Sequence, residues 1–200
     1  MTLAAWSRKL KPRSCRNGRR GALPPLVLFT DEARLPDPAA AMARLPRGSG
    51  VIFRHYAARD REALAHRLAK LSRQRGLLFL VAGDAALARR VGADGLHLPE
   101  HRLRHRLPPH NPAWLVTAAA HSLPAALRAE RLGIDAVFVS PVFPTDSHPG
   151  APALGPRRLA EWIGALTIPV YALGGVTAGT ARALTGTGIA GVAAIGGLAG

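Results

Sequence analysis

The stretch WLVTAAAHSLPAALRAERLGIDAVFVSPVF, residues 114–143, sets two apolar runs on either side of a helical segment. Trp114–His121 and Ala136–Phe143 are nearly unbroken in apolar residues, the pattern of parallel strands buried on both faces. Between them Ser122 is placed to cap a helix, Pro124 falls in its first turn and Gly133 stops it. The unit reads as strand, helix Pro124–Leu132, strand.

The same rhythm extends in both directions. Leu26–Thr30, Val51–Tyr56, Leu77–Ala82 and Gly95–Pro99 are apolar runs on the N-terminal side, and Pro169–Gly175 and Gly191–Ile195 follow on the other. Amphipathic segments separate them. Asp60–Arg73 places Leu64, Leu68 and Leu71 on one face with arginines opposite. Asp84–Val91 starts on an acid suited to capping and to the helix dipole, and Gly92 ends it. Pro156–Leu166 and Thr177–Leu184 repeat the pattern, whereas Glu100–Pro112 is too rich in His, Arg and Pro to read as a helix. Eight such units predict an α/β chain folded as a (β/α)8 TIM barrel. A doubly wound open sheet is the alternative, but the turn Asp31-Glu32-Ala33-Arg34 after the first run lacks a glycine-rich nucleotide fingerprint. The chain stops five residues after the eighth run, so no eighth helix is visible, and the barrel wall is expected to be incomplete there or closed by a partner subunit.

Composition sets the remaining bounds. The chain has 200 residues, 48% hydrophobic and 20% charged, enough for one domain with a sizeable core. The lone Cys15 excludes a disulfide framework and a cysteine zinc site, and no apolar run is long enough for a transmembrane helix. A cytoplasmic protein is expected. Of 27 basic residues, seven fall within residues 1–24 with no acid beside them. That stretch has no secretory h-region and reads as a flexible basic tail ahead of a single barrel domain over residues 25–200. Nucleic acid is not the expected partner, because Trp6 is the tail's only aromatic and 24 of the 27 basic residues are arginine, a compositional habit more than a patch.

Barrel enzymes work at the C-terminal ends of their strands. There the sequence places Arg54, His55 and Tyr56 after the second run, His97 within the fourth and His121 at the end of the fifth. Ser140–His148 follow the sixth run, Gly174-Gly175 the seventh and Gly196-Gly197 the eighth. Paired glycines after strands 7 and 8 suit a phosphate lying against backbone N–H groups, although tight turns alone also use them. His121 is the titratable candidate, able to take and return a proton near neutrality; a strand-end histidine can equally be a packing or hydrogen-bonding residue. His97 lies between Leu96 and Leu98 and reads as core, and His148 as a solvated loop residue. His101, His105 and His110 have a spacing suggestive of metal ligands, but Arg102, Arg104 and Arg106 between them oppose a cation, so no metal site is expected.

ARRVGADGLHL (88–98), HSLPAALRAERLGIDAVFVSPVFPT (121–145), IPVYALGGV (168–176) and GVAAI (191–195), in this order, resemble the thiamine-phosphate synthase and thiazole tautomerase (TenI-like) superfamily. The resemblance spans most of residues 25–200 and implies a (β/α)8 fold and a place in thiamine biosynthesis. Its synthase branch joins hydroxymethylpyrimidine diphosphate to thiazole phosphate. That branch uses an Arg and a Lys after strand 2, Asn-Asp after strand 3, an Asp after strand 4, a Ser on strand 5 and a Lys after strand 6; the two Asp hold magnesium. Here those positions read Arg54, Tyr56, Ala82-Gly83, Arg102, Ala119 and His148. The diphosphate and magnesium site is thus degraded, and magnesium is expected only if synthase activity persists through Asp84 or Glu100. The thiazole-phosphate half is better kept. The resemblance places Thr145, Asp146, Ser147 and His148 near the thiazole, and Gly174, Gly175, Ile195 and Gly196 around its phosphate. His121 matches the acid/base of the tautomerase branch, which needs no cofactor. Three readings follow: a thiazole phosphate tautomerase, a diverged synthase, and a non-catalytic or regulatory barrel that binds a phosphate ligand. A homo-oligomer is compatible with each.

Overall fold

In a computed structural model, residues 2–10, 23–104, 107–145, 150 and 152–195 are described. Eight parallel strands close into a barrel in sequence order: β1 (Leu26–Phe29), β2 (Gly50–Phe53), β3 (Leu78–Ala82), β4 (Gly95–Leu98), β5 (Leu115–Ala120), β6 (Ala136–Val139), β7 (Val170–Ala172) and β8 (Gly191–Ala194). Val27 of β1 registers with Gly50 of β2 on one side and with Ala193 of β8 on the other, so the sheet has no free edge. All eight expected runs became these strands.

Side chains alternate along each strand and build two apolar layers. Val27, Phe29, Ile52, Leu80, Phe138 and Tyr171 fill the barrel interior. Leu26, Leu28, Val51, Phe53, Phe79 and Val81 face outward into the shell of helices. Both faces are dry, which is why the strand segments carry so few polar residues.

The helices are α1 (Leu3–Ser7), α2 (Pro38–Ala43), α3 (Arg61–Arg75), α4 (Ala85–Arg90), α5 (Leu123–Arg131) and α6 (Gly155–Gly164). Their starts follow local chemistry: the Asp84 carboxylate accepts from Leu87 N–H at 2.8 Å, and Ser122 Oγ accepts from Ala125 N–H at 3.3 Å. Helix α2, begun by the Asp37 cap, is an element the sequence pattern did not reveal.

Two expectations change. The segment expected to be helical over Thr177–Leu184 is a 3-10 turn at Thr180–Leu184. Thr177 and Thr180 exchange backbone N–H to hydroxyl bonds at 2.9 and 3.2 Å, and Thr180 also donates to Gly175 O at 2.9 Å, so the local side chains compete with helical pairing. The stretch expected as a flexible tail contains α1, whose Leu3 and Trp6 are buried and which packs against the Thr180–Leu184 turn. Residues 11–22, and any segment beyond Ile195 where an eighth helix would lie, fall outside the described residues. Among the described residues no helix is long and apolar enough to cross a membrane.

Candidate functional site

The barrel mouth at the C-terminal strand ends opens into a cavity of about 590 Å³. Phe29 and His97 line it from within the barrel, and Arg54, Glu100, His121, Arg128 and Ser140 are also part of its wall. Leu173, the residue before the glycine pair, also lines it. The alternation that sends Phe29, Ile52 and Phe138 inward also directs Arg54 and Ser140 into this space, each two positions further along its strand.

Arg54 is anchored to the end of β1. Its Nη2 reaches Asp31 Oδ2 at 2.5 Å, and its guanidinium sits 6.0 Å from the centre of the Phe29 ring. Burial pushes the Asp31 carboxyl up, but the Arg34 N–H and the Arg34 and Arg54 guanidinium groups outweigh it and hold the pKa at about 2.

His97 lies deeper. Its ring meets Phe29 and Phe138 edge-on at 5.2 and 5.5 Å, and Nδ1 is 2.9 Å from Thr117 Oγ1. Complete burial, with the Arg54 charge adding, pushes it down to about 3, so it is a neutral interior residue. His55 stacks on Phe53 at 5.3 Å and pairs with Thr30 Oγ1 at 2.9 Å; burial lowers its pKa too.

His121 is different in kind. Its Nδ1 is 2.8 Å from the Ser140 carbonyl oxygen. A carbonyl only accepts, so Nδ1 carries a proton and, in the neutral ring, Nε2 is the basic nitrogen. Its backbone N–H donates to Glu100 Oε2 at 2.5 Å, which ties the turn after β4 to the end of β5.

The glycine pair also has a packing reason. Gly174 and Gly175 have φ of +87° and +64°, and a Cβ on Gly174 would lie 2.8 Å from Pro141 Cα. A Cβ on Gly175 would strike Pro144 O and lie 2.7 Å from Phe143 Cβ. The loop after β7 is therefore pressed onto the loop after β6, where Val142 and Phe143 N–H bond Leu173 and Gly174 O at 2.9 and 3.0 Å. Among the described residues, no acceptor is bonded to the N–H of Gly174, Gly175 or Val176.

Of the residues singled out from sequence, Arg54 and His121 line the same cavity. Thr145, Gly174, Gly175 and Ile195 lie on the loops following β6, β7 and β8, off its lining. Asp146, Ser147, His148 and Gly196 are outside the described residues. Glu100, read from sequence only as a stand-in magnesium carboxylate, also lines this cavity. Two groups escaped the sequence reading: Arg128, which lines the same cavity from α5, and Arg61. Arg61, the first residue of α3, bonds His55 O at 2.6 Å, Ala82 O at 3.0 Å and Asp84 Oδ2 at 3.0 Å, locking α3 to the loop after β3. No local pattern marks such a residue, because its partners come from three other segments.

A family model described as thiamine monophosphate synthase matches residues 26–198. The thiamine-phosphate synthase of Geobacillus kaustophilus is 36% identical over 149 residues, covering 70% of this chain and 65% of that protein. The match to it thus spans slightly under two thirds of the relative's length. The thiamine-phosphate synthase of Chlorobium luteolum is 34% identical over 177 residues, 86% of this chain and 84% of that one. A solved thiamine phosphate pyrophosphorylase from Pyrococcus furiosus superposes with a TM-score of 0.68 at 28% identity, covering 86% of this chain and 85% of the other.

Proposed function

The chain belongs to the thiamine monophosphate synthase family of thiamine biosynthesis, and on that premise we propose that it binds a thiazole phosphate and moves a proton on it with His121. The observation that carries this reading is the bond from His121 Nδ1 to Ser140 O, which aims the ring's basicity at Nε2 while His121, Ser140 and Leu173 share one cavity. The phosphate lies on the loop after β7, against the N–H groups of Gly174, Gly175 and Val176, with Thr145 and Ile195 on the neighbouring loops, and the family resemblance adds Asp146, Ser147, His148 and Gly196 to its contacts. Arg54 supplies a further positive charge.

The reaction is a 1,3-proton shift on a carboxythiazole phosphate. His121 Nε2 removes a proton from one ring position, the ring becomes aromatic as its electrons shift, and the same proton returns at the other position. No electron donor or metal enters that balance. Replacing His121 with Ala is expected to slow aromatisation, followed by ultraviolet absorbance, by about 10²- to 10⁴-fold with the circular dichroism spectrum unchanged. A folded variant as fast as the parent would remove His121 from this role.

A second reading is favoured by likeness to named synthases over most of their length: coupling of hydroxymethylpyrimidine diphosphate to thiazole phosphate. Magnesium-dependent formation of thiamine phosphate, insensitive to His121→Ala, would put that reading first. Thiazole phosphate bound with no turnover in either assay would mark a binding or regulatory barrel.

A further inference from the structure

We infer that the barrel mouth holds a second oxyanion of the ligand by guanidinium groups alone, in the place where the family resemblance implies a divalent cation. The carboxylates facing this region are already engaged. Asp31 is bound by Arg34 at 3.2 Å and by Arg54 at 2.5 Å. Asp84 caps α4 and pairs with Arg61 at 3.0 Å, and Glu100 accepts the His121 N–H. Magnesium is held by one or two carboxylates free to ligate it, with waters and substrate phosphates completing its octahedron, and to find them at this mouth it would have to break these pairs. Among the described residues there is no group of three or more His, Cys, Asp or Glu placed to hold a metal ion. The residues present do not fit the metal.

They do fit an anion. Arg54 and Arg128 line the mouth cavity, and a second cavity of about 520 Å³ shares His101 with it and is lined by Arg102 and Arg104. Among the described residues Arg102, Arg104 and Arg128 have no acidic partner. Arg128 Nε is buried and has no hydrogen-bond acceptor. An unmet buried donor is costly, and an oxyanion that enters beside it recovers the loss. The planar guanidinium fork suits carboxylate and phosphate oxygens alike. The shared chemistry is an oxyanion separate from the phosphate on the glycine loop, supplied by a diphosphate or by a ring carboxylate. The inference rests on the mouth being the ligand site, and not on His121 being the acid/base.

Calorimetric titration of the full chain in excess EDTA tests it, with inorganic pyrophosphate and an unphosphorylated thiazole carboxylate as separate probes. At least one is expected to bind at a single site and to lose about tenfold or more in affinity in Arg128→Ala or Arg102→Ala, with the surface change Arg67→Ala as the unaffected control. Whichever probe binds identifies the source as diphosphate or carboxylate. Arg128→Lys keeps the charge without the fork, and an intermediate loss there supports the same conclusion if the alanine variant folds poorly. Binding that appears only on adding magnesium, no binding of either probe, or an equal loss in Arg67→Ala overturns the inference. Thiazole phosphate titrated alongside separates the two proposals: its failure to bind, with pyrophosphate binding intact, counts against the glycine-loop reading and leaves this one standing.

Discussion

His97 and His121 sit on neighbouring strands and are separated by their surroundings. His97 is sealed among Phe29, Phe138 and Thr117, whereas His121 is exposed at the rim with Nδ1 committed to Ser140 O. The pKa of His97 is about 3 in the folded chain against an ordinary 6.5. Below 6.5 the unfolded chain takes up a proton that the folded chain refuses, so this stability is whole above about pH 6.5 and is lost progressively as pH falls toward 3. At pH 5 the loss is about 2 kcal/mol from this residue. Thermal unfolding at pH 7 and pH 5 should therefore show a smaller acid shift in His97→Gln, which still offers Thr117 a hydrogen-bond partner. An identical shift in parent and variant would show that His97 is not the group responsible.

At the scale of elements, the site is made by loops that press on one another. The loop after β7 lies against the loop after β6 so closely that Gly175 has no room for a methyl group, and its φ of +64° disfavours one as well. Gly175→Ala should cost more than about 2 kcal/mol in urea unfolding and weaken thiazole phosphate binding with it. Full stability with lost binding would separate the glycine's phosphate role from its packing role; full stability and full binding would discard both. Arg61 does the corresponding work on the other side of the mouth, where one guanidinium joins α3 to the end of β3 and to the α4 cap. Asp84, held below the ordinary carboxylate range by the Leu87 N–H and by Arg61 against the upward push of burial, is a structural member of that joint.

For the whole molecule, closure of the sheet leaves its outer face needing cover all the way round. The short turn Thr180–Leu184 stands where a helix was expected after β7, and α1 packs against it with Leu3 and Trp6 buried. Helix α1 is thereby part of the barrel wall. Trp6→Ala should cost about 3 kcal/mol in chemical unfolding monitored by far-ultraviolet circular dichroism. A change below about 0.5 kcal/mol would show that α1 contributes little to the fold.

Periodicity in the chain was enough for the eight strands, four of the helices and the closed architecture, because a strand covered on both faces must be apolar along its length and a helix covered on one face must be apolar on that face. Ser122 and Asp84 marked helix starts because capping is a local act between a side chain and an amide three residues on. Strand-end position singled out Arg54 and His121, and both line the mouth. The turn at Thr180 escaped the pattern because threonine hydroxyls compete with helical pairing in a way that hydrophobic spacing does not record. Burial of Trp6 needed a surface contributed from the far end of the chain. The pairing of Asp31 with Arg54, the carboxylate of Glu100 on His121 N–H and the buried Nε of Arg128 are likewise meetings of residues remote in sequence. Local pattern determined which elements form; only the closed barrel decided which charges face one another across its mouth, because those distances are set by strand register and loop packing and not by spacing along the chain.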